Sequence, residues 1–570
     1  MYLDFVVDIP DEPGKISCFK KGGTVYVRYV VGRTYHPDKK YNIPNHKIIG
    51  KLPKEGATVM IPNENFLKYF GDTELPEMKA DSSRSSCLRI GTFLVIRRII
   101  EEYHLQTMLS KQFGQRGCGL FLDLAAYSIV CEDNAGQYYP DYAYNHPLLT
   151  EEMHVYSDTK VSDFLGSVTD DQRIGFLNEW NSERDHRERI YISYDSTNKN
   201  SQAGDIEMVE FGHPKEDRGL PVFNYSIGYD TDNEVPLFYE QYPGSIVDIS
   251  QLQFMIGKAE GYGYRHIGFI LDRGYFSKEN IQYMDRCGYD FVIMVKGMAS
   301  FVSGMIDQVR GTFENKRDYS IRQYKVYGIS LKHRLYASDA KERYFHIYYS
   351  DQKAAAGHEQ LEARIERMAK YLDKIKGRAV SISGGYSDYF HLEIYDKDGT
   401  FLGYRERKDV IERELEGCGY FVIVTSRKMS ARDALELYKS RDVSEKMFRG
   451  DKSYLGNKSL RVHTDERAAA KIFVEFVALI IRCRIYTLLQ REKERLDKEP
   501  NFMTVPAAIK ELEKIEIVKG LDGRYRMDHA ITKNQRMILG AFRMNADSVR
   551  GSAKELADML MRCSGQGKGN

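Results

Sequence analysis

The chain has 570 residues, of which 42% are hydrophobic, and a formal net charge of +1, with 83 Lys and Arg against 82 Asp and Glu. This length predicts several compact units rather than one domain, and the balanced charge by itself indicates no nucleic-acid partner. The most apolar stretch, Ile472–Ile481, is interrupted by Glu475 and followed by Arg482 and Arg484. It therefore predicts a buried helix and excludes a membrane span at that point.

Eight cysteines are dispersed along the chain without a C-x-x-C pair. This spacing is typical of neither zinc ribbons nor disulfide frameworks and indicates a reducing compartment. The segment Met1–Phe5 has no basic region or long apolar run, so a signal peptide is not expected. No G-x-x-x-x-G-K-[ST] motif is present, which predicts that the protein does not use ATP. A cytoplasmic protein without a membrane segment is therefore expected.

Two different regions are predicted ahead of residue 188. Residues 1–80 are expected to form a β-rich domain, because Thr24–Val31 is rich in β-branched and aromatic residues and follows the turn Gly22–Gly23. This part is basic, and two interpretations stay open for it, a surface that binds DNA ends and a solvated sheet face. Residues 81–187 are expected to form a helical domain, because apolar residues recur there with long helical periods.

From residue 188 the pattern changes to strands that alternate with loops and helices. Three strands, a helix, a strand, a second helix and a fifth strand follow one another, and this order predicts an α/β fold with an RNase H-like core. The first part of that core spans 188–296, and 297–416 is predicted to be a mixed β-rich insertion domain. The core resumes over 417–490, and 491–570 is predicted to be a C-terminal helical region.

Two aspartates directly follow apolar strands of the predicted core. Asp195 follows Tyr191–Tyr194, and Asp272 follows Ile267–Leu271. These strands are expected to end side by side, so that both carboxylates lie at one edge of the sheet. An aspartate after a strand is commonly a turn or cap residue, and for either one alone this interpretation stays open. Carboxylates that converge repel each other unless a cation lies between them, and oxygen ligands suit Mg²⁺, with Mn²⁺ as a substitute.

A third carboxylate lies on a predicted basic helix that opens with the capping box Ser430–Asp433. From Arg427 to His463 there are ten Lys and Arg against five Asp and Glu, a surplus expected where a protein contacts phosphates. A solvated helix face with i,i+4 pairs is the alternative for this segment alone. At about 100° per residue, four residues fall within about 60° of one another on one face of the helix: Tyr438, Arg441, Glu445 and Lys452.

The spacing Y-(2)-R-(3)-E-(6)-K from Tyr438 to Lys452 resembles, without a departure, the signature of bacterial insertion-sequence DDE transposases of the IS-four superfamily. The resemblance covers roughly residues 189–463. It implies an RNase H-like catalytic core that is interrupted by a β-rich insertion ahead of the glutamate helix.

The resemblance also implies a role for each candidate site residue. Asp195, Asp272 and Glu445 would bind two Mg²⁺ ions, which Mn²⁺ can replace, and would catalyse two-metal phosphoryl transfer on DNA. Three residues of the helix would contact the DNA backbone: Tyr438, Arg441 and Lys452.

The function implied is that of a transposase that cleaves and rejoins the ends of an insertion sequence. Its partners would be double-stranded DNA, namely the terminal inverted repeats of its element and target DNA, with a dimer expected on DNA. A metal-dependent DNA nuclease on the same fold and a domesticated DNA-binding protein stay open as alternatives. Members that form DNA hairpins stack a flipped base on a tryptophan near the insertion, whereas the single tryptophan here is Trp180, ahead of the core. A hairpin route would therefore require Tyr or Phe as the stacking platform.

Overall fold

The computed structural model divides the chain into two compact units, residues 1–176 with 451–570, and residues 177–450. None of the helices in the described part of the chain has the length and apolar character needed to cross a membrane. The structure describes residues 2–3, 5–37, 39–71, 84–184, 189–200, 206–210, 221–246, 248–336, 338–339, 341–395, 399–441, 460–520 and 523–566.

Both helices and strands occur throughout the chain, which confirms the predicted mixed α/β class. The strands are β1 (Val7–Asp8), β2 (Ile16–Lys21), β3 (Thr24–His36), β4 (Tyr41–Lys51), β5 (Val59–Pro62), β6 (Cys87–Arg89), β7 (Ile190–Asn200), β8 (Val222–Asp230), β9 (Val235–Pro243), β10 (Ile267–Leu271), β11 (Asp290–Met294), β12 (Ser320–Ile321), β13 (Val326–His333), β14 (Arg343–Tyr349), β15 (Phe390–Tyr395), β16 (Thr400–Glu406), β17 (Tyr420–Thr425), β18 (Glu516–Lys519) and β19 (Tyr525–Met527). The α-helices are α1 (Glu64–Tyr69), α2 (Gly91–Glu102), α3 (Leu105–Cys131), α4 (Tyr139–Asn145), α5 (Asp158–Ser167), α6 (Asp170–Ser182), α7 (Asp248–Gly261), α8 (Lys278–Cys287), α9 (Ala299–Val309), α10 (Asp351–Ile375), α11 (Lys408–Gly417), α12 (Ala431–Ser440), α13 (Asp465–Leu496), α14 (Val505–Leu512), α15 (Lys533–Ala541) and α16 (Ala546–Gln566).

The N-terminal residues form an antiparallel sheet in the order β1-β5-β4-β3-β2. Asn63 caps the start of helix α1, because its side chain accepts hydrogen bonds from the backbone of Asn65 and Phe66 and so satisfies donors of the first turn. Phe66 is fully buried beside Val27 and Met60. The β-rich character expected for residues 1–80 therefore comes from a small sheet with its own apolar core.

The central helix of the first unit is α13, which contains the apolar stretch Ile472–Ile481 as a buried helix, as predicted. Its buried Glu475 accepts a hydrogen bond from the side chain of Asn134 at 3.1 Å, which satisfies part of a polar group inside the core. The helix continues to Leu496 and so crosses the predicted boundary at residues 490–491.

The C-terminal segment is not only helical. Strands β18 and β19 form an antiparallel hairpin, and β18 also pairs with β6, so that Ile517 lies opposite Leu88. Helices α2 and α14 lie close together at Gly91. A Cβ atom added to this glycine would lie 2.2 Å from the carbonyl oxygen of Leu512. The prediction of a helical region for 491–570 was therefore incomplete, since a short strand with a partner far away in the sequence carries little local signal.

The second unit is built on a nine-stranded sheet in the order β12-β13-β14-β17-β11-β10-β7-β8-β9. Strand β10 runs parallel to β7 and β11, whereas β7, β8 and β9 pair antiparallel. Three strands, α7, β10, α8 and β11 follow in the predicted order. Ser277 caps the start of helix α8, because its hydroxyl accepts from the backbone of Asn280, as predicted.

Strands β12–β14 lie within the segment that was predicted to be an insertion domain, 297–416, yet they continue the nine-stranded sheet. Strand β14 pairs with β17 along its length, from Tyr344 opposite Thr425 to Tyr349 opposite Tyr420. A separate small core forms around α10, α11 and the β15–β16 hairpin, with Leu372 and Phe401 fully buried. Among the described residues of the segment, this later part has a core of its own, apart from the main sheet.

Helix α12 packs on one face of the sheet. Leu435 and Tyr438 are buried in a cluster with Ile270, Val292 and Ile423. The hydroxyl of Tyr348, a cluster residue on β14, donates to the carbonyl oxygen of Ala431, the first residue of α12, at 2.7 Å. These contacts fix the position of the helix whose C-terminal end carries Arg441.

A neutral histidine lies inside the same sheet. The imidazole of His346 is fully buried between the hydroxyls of Ser330, at 2.7 Å, and Thr425, at 3.0 Å. Because Thr425 donates its hydrogen to the carbonyl oxygen of Arg427, Nε2 of His346 is the donor to Thr425 and Nδ1 accepts from Ser330. Burial lowers the pKa of His346 to about 4, against a smaller opposing effect of Asp433.

We expect this histidine to make the protein less stable in mild acid. Between pH 6.5 and about 4 the unfolded chain binds a proton that the folded His346 does not, so its contribution to the free energy of unfolding falls by about 2 kcal/mol from pH 7 to pH 5. Urea unfolding of wild type and His346→Gln at both pH values measures this difference. An equal change with pH in both proteins would contradict the assignment.

Candidate active site

The two predicted aspartates occupy corresponding positions on neighbouring parallel strands. Strands β7 and β10 pair in register from Ile190 opposite Ile267 to Tyr194 opposite Leu271. The next residues along the chain are Asp195 and Asp272, so their backbones are lateral neighbours where β10 ends.

Asp195 does not end its strand, although the sequence led us to expect this. Strand β7 continues to Asn200, because β8 pairs with it antiparallel as far as Asn200 opposite Val222. Asp195 therefore marks the point where pairing with β10 stops while pairing with β8 goes on. The structure describes its backbone, and its side chain lies outside the described part.

Asp272 lies between β10 and a 3₁₀ turn, Arg273–Tyr275. Its backbone carbonyl accepts from the amide of Tyr275 at 3.0 Å, but its side chain makes no capping hydrogen bond with the turn. Instead, Oδ1 of Asp272 lies 2.6 Å from Nη1 of Arg441, and 41% of the aspartate side chain is exposed. The alternative of a simple turn cap therefore does not account for this carboxylate.

Arg441 reaches this carboxylate from the end of α12. Ser430 caps the start of this helix, because its hydroxyl accepts from the amide of Asp433 at 3.1 Å, and the helix ends at Ser440. The Arg441 side chain is only 10% exposed, and its guanidinium lies 5.0 Å from the ring centroid of Tyr438. The predicted shared face of Tyr438 and Arg441 is thus found, with both residues directed toward the sheet.

The structure places Tyr438 inside the apolar cluster, where it is 5% exposed. The phosphate contact implied for it by the family signature stays a prediction, and its observed contacts are with the core and with Arg441. Position on a helix face could not reveal this burial, because the spacing does not say which side the sheet covers.

Sequence reasoning gave no role to the contacts that hold the turn after Asp272. The hydroxyl of Tyr275 donates to Oγ of Ser196 at 2.9 Å, and both residues are buried. The side chain of Asn280 donates to the carbonyl oxygen of Tyr275 at 3.1 Å. The first bond ties the Asp272 turn to β7 beside Asp195, and the second ties it to helix α8. The only sequence signal is the position of Ser196 and Tyr275 next to the two aspartates.

The remaining two signature residues, Glu445 and Lys452, lie outside the described residues, in the gap 442–459. Among the described side chains, which include neither Glu445 nor Asp195, no three of His, Cys, Asp or Glu gather as a metal site. The residues present fit a hard divalent cation in chemistry, since Asp272 offers a partly exposed carboxylate and Asp195 occupies the neighbouring strand position.

Trp180 lies in the core of the second unit. It is fully buried, and its Nε1 donates to the carbonyl oxygen of Pro236 at 2.9 Å. The guanidinium of Arg184 lies 4.0 Å from the ring centroid. Trp180 therefore cannot stack on a nucleic-acid base without leaving its site.

Comparisons with known proteins place this arrangement in a family. No curated protein matches the chain. A solved structure, the piggyBac transposase synaptic complex with hairpin DNA, is similar over 87% of this chain and 80% of that chain, with 8% identity and a TM-score of 0.32, too low to support an inference. The model of the transposase DDE domain matches residues 194–481, more than half of the chain. The chain therefore belongs to the transposase DDE domain family.

Proposed function

We propose that this protein is a transposase that cleaves and joins the ends of an insertion sequence by metal-dependent phosphoryl transfer. The observation that carries the proposal is the neighbouring placement of Asp195 and Asp272 on parallel strands. The strand order β11-β10-β7-β8-β9, with antiparallel β7–β9 and parallel β10 and β11, supports an RNase H-like core. Families of DDE transposases use divalent metal ions, and this chain belongs to one of them.

Asp195, Asp272 and Glu445 would together hold two Mg²⁺ ions, with Mn²⁺ as a substitute. Carboxylate oxygens are the ligands that these hard ions prefer. When bound, the ions would activate the attacking oxygen and stabilise the leaving 3′-oxygen.

Arg441 would contact both negatively charged groups of the proposed site, the Asp272 carboxylate and a DNA phosphate. Its guanidinium pairs with Asp272, and it would contact a DNA phosphate beside this carboxylate when DNA is bound. Tyr438 would hold the guanidinium of Arg441 in place through the cation–π contact. Lys452 would add a second phosphate contact, since a lysine binds phosphate as a point charge.

The proposed partners are the terminal inverted repeats of the element and target DNA, bound by a dimer. A repeated DNA end at each side of an element requires two active sites for concerted joining, and a two-fold dimer supplies them.

The experiment uses purified full-length protein and DNA cloned from both sides of its reading frame. A transposase releases the element at inverted repeats and joins its 3′-ends to a target plasmid, with a requirement for Mg²⁺ or Mn²⁺. Metal-dependent cutting without joined products would favour the nuclease instead. Binding without either product would favour a DNA-binding protein and contradict the proposal.

A further inference from the structure

Strands β3 and β4 continue well beyond the other three strands of the N-terminal sheet. Strand β2 accompanies β3 only as far as Tyr29, and β5 accompanies β4 only at Gly50–Lys51. Beyond these points, among the described residues, β3 and β4 pair only with each other, up to the last pair, His36 opposite Tyr41. About seven residues of extended strand from Val30 give an arm roughly 20 Å long. We call residues 30–47 the ribbon.

The ribbon exposes aromatic side chains near its tip. Tyr35 is 59% exposed and Tyr41 is 56% exposed. The side chain of Asn45 donates to the hydroxyl of Thr34 at 2.8 Å across the two strands. A two-stranded ribbon has little stability of its own in water. Because no described element packs over this ribbon, the bond between Asn45 and Thr34 helps to hold its two strands together.

The ribbon is also positively charged. Arg33, Lys39, Lys40 and Lys47 are exposed, and none of them forms an ion pair with a described acidic residue. The segment contains one acidic residue in its sequence, Asp38, which lies outside the described residues. Cations on a narrow projecting element form an electrostatic footprint that suits a polyanion.

We infer that the ribbon inserts into the major groove of duplex DNA. The major groove of B-DNA, about 12 Å wide, admits a two-stranded β-ribbon. Lys39 and Lys40 at the tip and Arg33 and Lys47 along the strands would then contact the phosphates that line the groove. The two tyrosines would contact base edges and sugars.

A second copy of this chain is a less suitable occupant. Pro44 lies within β4, opposite Arg33, and removes a backbone donor that an added strand would need. Charged residues along an exposed edge also oppose strand pairing. Both features favour an anionic partner over β-sheet extension.

The inference rests on the proposed function only for the identity of the partner, and its test contains no cleavage step. Binding of full-length protein to a labelled duplex from the element's end is measured by fluorescence anisotropy at several salt concentrations, in EDTA. We expect Lys39→Ala with Lys40→Ala to make the slope of log affinity against log salt shallower by about two units, since each phosphate contact contributes about 0.9. Tyr35→Ala with Tyr41→Ala is expected to weaken binding without changing the slope.

The matched control is Lys21→Ala with Lys54→Ala, which removes two exposed lysines outside the ribbon, one at the end of β2 and one in the loop between β4 and β5. An equal change of slope in this control would show a general charge effect and overturn the inference. Dimethyl sulfate protection of guanine N7 reports the major groove, and we expect the ribbon variants to lose protection that the control keeps. Unchanged protection and slope in the ribbon variants would also overturn it.

These outcomes separate the ribbon from the proposed function. If the ribbon variants bind like wild type while wild type cleaves and joins DNA, only the ribbon inference fails. If the ribbon variants lose slope and protection while wild type never cleaves, only the transposase proposal fails.

Discussion

Asp272→Asn is expected to abolish cleavage of the element's ends while DNA binding persists. The substitution removes a carboxylate that would hold a metal ion against the leaving oxygen, and lost charge stabilisation of this kind lowers rates by about a thousandfold or more. It also leaves Arg441 without its 2.6 Å partner. Because the aspartate side chain is 41% exposed, we expect solvent to compensate much of this loss, so that the protein stays folded. Cleavage, DNA affinity and thermal unfolding are measured on the same preparation.

The matched control for this variant is Asp290→Asn. Asp290 lies at the start of β11, at the end of the strands opposite to Asp272, where it pairs with Arg189 at 3.3 Å and accepts from Ser426 at 3.1 Å. The control therefore loses an aspartate–arginine pair without touching the proposed metal site. If Asp272→Asn cleaved DNA at the rate of this control, Asp272 would not be a metal ligand.

Arg441→Ala is expected to reduce cleavage about a hundredfold, the scale of losing one charged donor aimed at the reacting phosphate. The variant also loses the ion pair with Asp272 and the cation–π contact with Tyr438, which costs about 1–2 kcal/mol of stability. Arg441→Lys should recover only part of the activity, because a lysine cannot bridge carboxylate and phosphate with a planar fork.

The control for Arg441 is Arg427→Ala, which removes an arginine 3.7 Å from Asp290, at the end of the strands opposite to Asp272. DNA binding of both variants is followed against salt concentration. If Arg441 contacts a phosphate, its slope falls by about one unit. An unaltered slope together with wild-type cleavage would reduce Arg441 to a structural partner of Asp272.

Local patterns predicted the part of the fold that forms the site. The hydrophobic periodicity of the sequence predicts the strands from β7 to β11. Residues at fixed offsets from the start of a helix predict the serine caps at Ser277 and Ser430. Contacts between distant segments were not predictable in this way. Strand β14 pairs with β17, and this pairing makes β12–β14 part of the main sheet. The sequence pattern did not indicate this, because the alternation of helices and strands stops at residue 297.

The same contrast holds for the site. The order of the two strands predicted that Asp195 and Asp272 would be neighbours, and their backbones occupy matching positions. The sequence could not show that β8 would extend β7 beyond Asp195, or that Arg441 would pair with Asp272. Both depend on packing across the sheet, where residues far apart in the chain meet.

The central claim, that Asp195, Asp272 and Glu445 together bind the catalytic metal ions, is tested most directly by a change of metal preference. Each residue is replaced by Cys, and cleavage by the full-length variants is measured in Mg²⁺ and in Mn²⁺, with Asp290→Cys as the control. A thiolate is a poor ligand for hard Mg²⁺ but a better one for Mn²⁺. We predict that all three variants are inactive in Mg²⁺ and regain cleavage in Mn²⁺, while the control cleaves in both. Wild-type cleavage in Mg²⁺ by any of the three variants would contradict the claim for that residue.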